Sequence, residues 1–251
     1  MKTFRYTLAL LLSSIAFAQD APKKEADLTD GKEILKRADA AAKAVRVIKY
    51  TAVAKGLGAD EPRRPTVEGS AIFGGWLSGG PAKYRFDVKV KKPGATDVSE
   101  YTAGTDGEIV YLVDSSAKTV YADMDPAVLG GSGRFARSIL VGKIVDPDAF
   151  KDELAAEKVE LKGTISVEGH DCYQVNVDFG PDRGEVIWYL SKSDFLPRKT
   201  ERIFPQPNGE KGGRTVTLSN VVANPKPPAD GTDPFALVVP EGFKKTDDFA
   251  P

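Results

Sequence analysis

The chain has 251 residues, carries 35 Lys and Arg against 36 Asp and Glu, and has a formal charge of −1. This balance lacks the basic excess of a general nucleic-acid binder, so we expect no nucleic-acid partner. One Cys excludes an internal disulfide, and one Cys with one His cannot form a Cys/His zinc cluster. Any catalytic triad or His-based metal site would have to use His170.

The first residues have the three parts of a cleavable signal peptide. Lys2 and Arg5 form a positive region, residues 6–17 are mostly apolar, and Ala16 and Ala18 give a small-x-small cleavage pattern. The apolar run is shorter than the roughly 20 residues that a membrane-spanning helix needs. The sequence therefore predicts export to the periplasm and a mature chain that does not span the membrane.

Three segments follow from this pattern. We predict a signal peptide over residues 1–18, with the cut after Ala18, and a flexible polar leader over residues 19–30. Residues 31–251 show no change of composition that would divide them, so they are expected to form a single domain.

The strongest helix signal follows the leader. Asp30, with Glu33 three residues later, resembles a capping box. The spacing predicts a helix over Gly31–Val45, whose apolar face would be formed by Ile34, Leu35, Ala38, Ala41, Ala42 and Val45.

After this helix, the apolar residues alternate with polar ones, as in β-strands with one buried face. The clearest case is the segment from Lys83 to Lys91, in which Tyr84, Phe86, Val88 and Val90 alternate with charged residues. Other strands are predicted at Ile48–Ala54, Val67–Trp76, Val98–Ala103, Ile109–Val113, Lys118–Ala122, Val159–Val167, Cys172–Phe179, Glu185–Leu190, Arg198–Phe204 and Arg214–Val222.

Residues 125–157 interrupt the strands and are expected to form one or two short helices around a Gly-rich break. A Pro-rich stretch near the end leads to a last apolar element, Phe235–Val239. About ten or eleven strands joined by short turns favour one large curved antiparallel sheet with its inner side covered by helices. The predicted fold class is therefore mainly β with flanking helices.

Two motifs suggest chemistry but have simpler interpretations. Gly130–Ala136 loosely matches a dinucleotide fingerprint, yet it lacks the parallel strand–turn–helix setting, so a movable loop is favoured. His170 and Cys172 would share one face of a strand, which suits a thiolate–imidazole pair. A small packing Cys beside a solvated His is the favoured alternative, and a Cys-dependent redox role is the less favoured one.

Acidic residues are clustered around the interruption, at Asp123, Asp125, Asp146, Asp148 and Asp152/Glu153. They resemble turn and helix-start sequences more than a calcium loop, so we expect no metal site. Hydrolase and zinc-protease motifs are absent from the sequence. We therefore expect no catalytic residues, no enzymatic activity and no cofactor.

The remaining candidates are apolar. Alternation assigns the following residues to the inner face: Tyr50, Phe73, Tyr84, Phe86, Val88, Tyr111, Tyr121, Tyr173, Val175, Trp188 and Leu190. They could form a filled core, or they could line an apolar ligand cavity. Periodicity does not separate these two alternatives.

The order of motifs resembles the periplasmic outer-membrane lipoprotein carriers, the LolA/LolB-like superfamily, which also includes regulators of the RseB type. Five segments carry the resemblance: ILKRADAAAKAVRVIKYTAVAKG, PAKYRFDV, TDGEIVYLVDSSAKTVY, WYLSKSDFLPRKTER and DPFALVVPEGF. The resemblance implies an unclosed β barrel of about eleven strands with a helical lid. Its interior would accommodate acyl chains.

By the same resemblance, Arg134, Phe135 and Arg137 would belong to the lid. The implied function is that of a carrier holding an acyl chain or the lipid part of a lipoprotein, with a membrane-anchored donor or acceptor as a further candidate partner. The alternative is a lipid-sensing interaction module of the RseB type.

Overall fold

The computed structural model of the protein describes residues 27–74, 82–124, 133–144, 146 and 148–246. The predicted signal peptide and residues 19–26 of the leader lie outside them. Within the described ranges the strands are β1 (Val47–Gly58), β2 (Thr66–Gly74), β3 (Lys83–Lys91), β4 (Val98–Thr105), β5 (Val110–Asp114), β6 (Thr119–Asp123), β7 (Lys158–Val167), β8 (His170–Asp178), β9 (Glu185–Ser191), β10 (Pro197–Pro205), β11 (Lys211–Ala223) and β12 (Lys244–Thr246).

These twelve strands pair into one sheet, in the order β12-β6-β5-β4-β3-β2-β1-β11-β10-β9-β8-β7. Every pair is antiparallel except β12 with β6, which is parallel. The edge strands β7 and β12 do not pair with each other, so the sheet is unclosed. The predicted fold class is confirmed, with the short β12 as a strand that the sequence did not predict.

The helical elements of the described residues are short except for the first. They are α1 (Gly31–Lys43), α2 (Gly133–Ala136), two 3₁₀ turns (Arg137–Ile139 and Gly142–Ile144) and α3 (Lys151–Ala155). We refer to residues 133–144 as the cover segment. Within the described ranges, no helix combines the length and apolarity that a membrane crossing requires.

Helix α1 forms where its capping residue and apolar spacing predict it. The Asp30 carboxylate accepts a hydrogen bond of 2.8 Å from the Lys32 amide, which satisfies one of the free N–H groups at the helix start. Ile34, Leu35 and Ala38 are fully buried. The helix ends at Lys43, two residues before the predicted end.

Alternation along the strands separates an inner face, which the helices cover, from an outer face. On β3, Phe86 and Val88 are buried in the core, whereas Arg85 and Asp87 form a 3.0 Å ion pair on the outer face. Thr102 of β4 donates a 2.7 Å hydrogen bond to the same Asp87 carboxylate. The charged outer face of this strand is therefore as its sequence pattern predicts.

The prediction that Tyr111 lies on the inner face is wrong. In the register of β3, β4 and β5, Gly104 lies opposite both Arg85 and Tyr111, so Tyr111 shares the outer face with Arg85. A Cβ atom on Gly104 would lie 2.5 Å from the Tyr111 hydroxyl, which shows that the phenol ring covers this glycine.

The chain near Phe235 buries Tyr111 from the outer side. The Tyr111 hydroxyl donates a 2.8 Å hydrogen bond to the Phe235 carbonyl, and Lys83 pairs with Asp233 at 3.6 Å. Phe235 is itself buried, and it belongs to a turn rather than to a strand. Of the last apolar element, Phe235 therefore packs on the outer face of the sheet, whereas Val238 and Val239 are exposed.

We expect Tyr111→Phe to lower the free energy of unfolding by about 1 kcal/mol, because the buried Phe235 carbonyl loses its hydrogen-bond donor. Denaturant unfolding measures this change. Tyr101→Phe is the matched control, since it removes a hydroxyl from another buried tyrosine of the same sheet that makes no side-chain hydrogen bond among the described residues. Equal stabilities of the two variants would contradict the assigned contact.

Candidate functional site

Four aromatic rings lie side by side on the inner face of β1, β2 and β3. Tyr50 stacks on Phe73 with a centroid distance of 6.2 Å, and Phe73 meets the edge of Phe86 at 5.1 Å. Tyr84 lies 5.4 Å from Phe86 on the same strand. The antiparallel register brings these rings together, because Phe73 lies opposite Tyr84 and two residues along β2 from Ala71, which lies opposite both Tyr50 and Phe86. We call these four residues the aromatic row.

The cover segment is hydrogen-bonded to the aromatic row through Tyr50. The Tyr50 hydroxyl donates to the Ile139 carbonyl at 3.1 Å and accepts from the Val141 amide at 3.4 Å. Complete burial raises the pKa of Tyr50 well above its ordinary value, so the hydroxyl stays protonated and remains a donor. Breaking this contact inside the protein would leave two backbone groups without partners.

Five apolar side chains of the cover segment and of the strands beneath it are almost completely buried. Ile139 and Ile144 are at most 1% exposed, and Val141 is 3% exposed. On the strands below, Ile48 is 0% exposed and Phe86 is 1% exposed. A void large enough for a water molecule would give these side chains accessible surface. Since they have almost none, they pack against protein atoms in this conformation. Of the two alternatives, a filled core describes these residues in the closed state.

Helices α1 and α3 cover the other half of the inner face. Phe150, which precedes α3, meets the edge of Trp188 of β9 at 5.2 Å. The indole Nε1 of Trp188 is buried and has no hydrogen-bond partner among the residues that the structure describes. Lys143 of the cover segment forms a 3.0 Å ion pair with Glu153 of α3, whose carboxylate is almost fully buried. This ion pair joins the cover segment to α3.

The structure brings most of the predicted ligand-contacting residues to one face. The main buried core, or its border, contains Tyr50, Phe73, Tyr84, Phe86, Val88, Tyr121, Tyr173, Val175, Trp188 and Leu190. Tyr111 is the exception described above. Tyr84 and Tyr121 are only partly buried, so the core is less tightly covered at their side of the sheet.

The three predicted lid residues lie in α2 and the adjoining 3₁₀ turn. Phe135 packs against the core, and the Arg134 guanidinium lies 5.4 Å from the centre of its ring. Arg137 is exposed, and its charge acts on the Tyr84 hydroxyl, where it opposes the effect of burial on the pKa of Tyr84. These residues therefore belong to the segment that covers the aromatic row.

The sequence did not single out the residues that hold this cover in place. Ile139, Val141 and Ile144 are more deeply buried than Arg134 or Phe135. The signal that could have identified them is the mostly apolar run from Ile139 to Ile144, in which Val141 and Ile144 have the three-residue spacing of a 3₁₀ turn.

His170 and Cys172 do not form a nucleophilic pair. The Cys172 thiol donates to the His170 carbonyl at 3.4 Å and packs with Val167 and Tyr189 in a small cluster separate from the main core. Burial raises the pKa of Cys172 to about 11, which keeps the sulfur protonated at neutral pH. Cys172 is therefore a packing residue, as the favoured interpretation predicted.

The other sequence candidates have structural roles where they are described. Gly133–Ala136, the end of the Gly-rich motif, forms α2, and residues 130–132 lie outside the described ranges. Asp146 accepts from the Asp148 amide at 2.9 Å, and Asp148 pairs with Lys151 at 3.2 Å. Across the described part of the chain, no group of three His, Cys, Asp or Glu side chains is placed to hold a metal ion.

No known family model matches the chain, and no curated protein matches its sequence. Solved structures do match its fold. LprF from Mycobacterium bovis matches at 15% identity and a TM-score of 0.49, over 78% of this chain and 96% of LprF. A LolA superfamily protein from Nitrosomonas europaea matches at 14% identity and a TM-score of 0.33, over 84% of this chain and all 100% of that protein.

MucB also matches, in the complex structure of Pseudomonas aeruginosa MucA/MucB. The identity is 12% and the TM-score is 0.46, over 80% of this chain. The chain spans 59% of the length of that MucB chain.

We expect the Cys172 thiol of the folded protein to react with a disulfide reagent at pH 8 at least about 100-fold more slowly than in urea-unfolded protein. A pKa of about 11 leaves far less thiolate than an unfolded cysteine has, and burial slows access further. Stopped-flow thiol titration measures both rates. Comparable rates would show that Cys172 is accessible and ionised, contrary to this packing role.

Proposed function

We propose that this protein is an exported carrier that holds an acyl chain, free or as the lipid part of a lipoprotein, on the inner face of the sheet. The observation that carries the proposal is the aromatic row beneath a cover segment of short helical turns. The acyl chain would replace the side chains of the cover segment over these rings. A filled interior in the closed state is compatible with binding only if the cover segment moves.

The energetics favour displacement by a long chain and not by a short one. Exposing Ile139, Val141 and Ile144 costs about 5 to 9 kcal/mol, at about 1.5 to 3 kcal/mol for each buried aliphatic side chain. Burying the roughly 14 methylenes of a palmitoyl chain, at about 0.8 kcal/mol each, contributes about 11 kcal/mol. An octanoyl chain contributes about 5 kcal/mol and would not offset the exposure of the cover.

The cover segment has few regular hydrogen bonds to lose when it moves. Its longest element, α2, has four residues, and each 3₁₀ turn has three. Isolated helices of this length are not stable in water, so the packing against the sheet holds them in place. The contacts of Tyr50 with Ile139 and Val141 are the polar part of that packing.

The proposal assigns binding and not catalysis to the protein. The Cys172 thiol, the one nucleophile that the sequence singled out, lies in the small cluster apart from the aromatic row and is protonated at neutral pH. Ligand release would then follow from reopening of the cover segment.

We expect palmitate to bind with at least about 100-fold higher affinity than octanoate, because only the longer chain offsets exposure of the cover segment. Quenching of Trp188 by brominated fatty acids in a Trp76→Phe background measures binding at the inner face. Equal affinities for the two chain lengths, or no quenching by either, would contradict the proposed mechanism.

Tyr50→Phe tests the role of the cover segment in the same assay. Loss of the Tyr50 hydroxyl should accelerate palmitate uptake several-fold, since opening the cover then breaks fewer hydrogen bonds. Tyr111→Phe is the matched control, because it removes a buried hydroxyl that also donates to a backbone carbonyl, but on the outer face. If both variants bind palmitate at the wild-type rate, the cover segment does not control entry.

We also propose that the chain is exported and cut after Ala18. The supporting observation is the charge, apolar run and small-residue pattern of residues 1–18. Expression of the full chain in a Gram-negative host should give periplasmic protein whose N-terminal sequence begins at Gln19. Cytoplasmic protein that retains residues 1–18 would contradict the proposal.

A further inference from the structure

Two arginines face each other across strands β10 and β11 at one end of the inner face. Arg202 lies directly opposite Arg214, two positions beyond the pair Thr200 and Val216. The same register places Arg202 opposite Val186, whose side chain belongs to the main core. Like charges directly opposite in an antiparallel pair destabilise a sheet. The opposition of these two cationic residues is therefore unfavourable, and an anion bound beside them would offset it.

Aromatic rings hold Arg202 in position. Its guanidinium lies 5.0 Å from the centre of the Phe179 ring and 4.9 Å from that of Phe204. Arg183 lies over the Phe179 ring as well, at 4.8 Å. Arg202 also donates a 2.9 Å hydrogen bond to the Arg183 carbonyl, so the position of its guanidinium is well determined before any ligand binds.

The turn between β1 and β2 adds a fourth arginine. Asp60, in this turn, packs so close to β1 that a Cβ atom on Gly56 would lie 2.3 Å from the Asp60 carbonyl oxygen. Gly56 is the cross-strand neighbour of Arg214. Arg64 pairs with the Asp60 carboxylate at 3.0 Å. We call Arg64, Arg183, Arg202 and Arg214 the arginine end.

Two of the four arginines are ion-paired, and among the described residues the nearby carboxylates pair with side chains other than Arg202 and Arg214. Asp60 pairs with Arg64, and Asp152 is 4.0 Å from Arg183. The negative charge of Glu153 acts on Arg202, but the Glu153 carboxylate is ion-paired with Lys143. Among the described residues, no carboxylate lies within 4.0 Å of Arg202 or Arg214.

The positive charges of Arg202 and Arg214 are therefore energetically unfavourable. Burial, followed by the charge of Arg183, lowers the pKa of Arg202. Partial desolvation, followed by the charge of Arg64, lowers the pKa of Arg214, although this residue keeps an exposed surface. Both guanidinium groups remain charged, because arginine titrates far above neutral pH. A bound anion would relieve this repulsion.

The arginine end is continuous with the apolar inner face. Val186 lies beside Arg202, and Val216 lies two residues along β11 from Arg214; both valines are buried in the main core. A ligand that is apolar along one part and anionic at one end matches this arrangement. Guanidinium groups recognise phosphate and carboxylate oxygens through paired, charge-assisted hydrogen bonds.

We propose that Arg202 and Arg214 bind the anionic headgroup, a phosphate or carboxylate, of an amphiphile whose acyl chain lies on the inner face. This inference rests on the proposed function, and it adds a ligand class to it. Arg64 and Arg183, which are ion-paired with Asp60 and Asp152, flank the headgroup.

The test compares two ligands that differ by one phosphate, palmitoyl lysophosphatidic acid and monopalmitoylglycerol. Displacement of a fluorescent fatty acid from the purified mature protein measures both affinities. We expect the phosphorylated ligand to bind about tenfold more tightly at low salt, and the ratio to fall as salt is added. Equal affinities would overturn the headgroup site and leave the acyl carrier function standing. Failure of both ligands to bind would overturn both proposals.

Arg202→Gln and Arg214→Gln should each reduce the affinity ratio to about threefold or less, with monopalmitoylglycerol binding unchanged. Lys55→Gln is the charge-matched control, because Lys55 is exposed on β1 beside Gly56, with its side chain on the outer face. An unchanged ratio in Arg214→Gln would overturn the assignment.

Two further measurements distinguish a headgroup site from a purely structural arginine pair and from a site for free phosphate. Without ligand, Arg214→Gln should unfold at the same or a higher denaturant concentration than wild type, since it removes a like-charge contact; a merely structural arginine would give a less stable variant. Inorganic phosphate should compete with the lysophosphatidic acid only weakly. Competition by phosphate at micromolar concentration would identify a site for the free anion and overturn the headgroup assignment.

Discussion

The pairing of β1 with β11 is the constraint on which the rest of the structure depends. β1 pairs with β2 on one side and with β11 on the other, so it joins the strands of the first half of the chain to those of the second. Ile48 lies opposite Ala223, and Gly58 lies opposite Gly212. Without this pairing there would be two smaller sheets, and the aromatic row and the arginine end would not share a face. Contacts so distant in sequence require closure of a long loop before they stabilise the fold.

A sheet of this width has one apolar face that must be covered, and the chain offers little helix for the purpose. Helix α1 covers part of the second half, and the remainder depends on the short turns of the cover segment and α3. Their stability comes from side chains such as Ile139 rather than from their own hydrogen bonds. Besides this packing, only the hydrogen bonds to Tyr50 and the ion pair of Lys143 with Glu153 are described as holding the cover segment, so in the proposed function it is the part of the core that an apolar ligand would replace.

Alternation in the sequence predicts the inner face well where the outer face is charged. β3 is the clearest case, since its outer residues are Arg85, Asp87 and Lys89. The alternation pattern fails for Tyr111, because residues 109–113 are apolar at nearly every position and both faces of β5 are covered. The covering residue, Phe235, is 124 residues away in the chain. No local pattern reports such a contact, so the face of Tyr111 could not be predicted.

The sequence did not predict the pair Arg202 and Arg214, for a related reason. Each arginine alone looks like an ordinary charged residue near the end of a strand, and their opposition depends on the register of the β10–β11 hairpin. Residue types alone do not define that register. A shift of the pairing by one residue would place the two arginines on different faces of the sheet. The structure shows that Arg202 and Arg214, for which the described residues provide no ion pair, lie on the same face as the apolar core.

The positions of these two features along β1 connect them physically. Tyr50 contacts the cover segment, and Gly56, six residues further along the same strand, lies opposite Arg214. At about 3.3 Å per residue, the two positions are about 20 Å apart along the inner face. A headgroup fixed at the arginine end would direct its chain along the strand toward the aromatic row. Fixing one end of a ligand lowers the entropy lost when the other end binds, so headgroup recognition would favour displacement of the cover segment even though the arginines do not touch it.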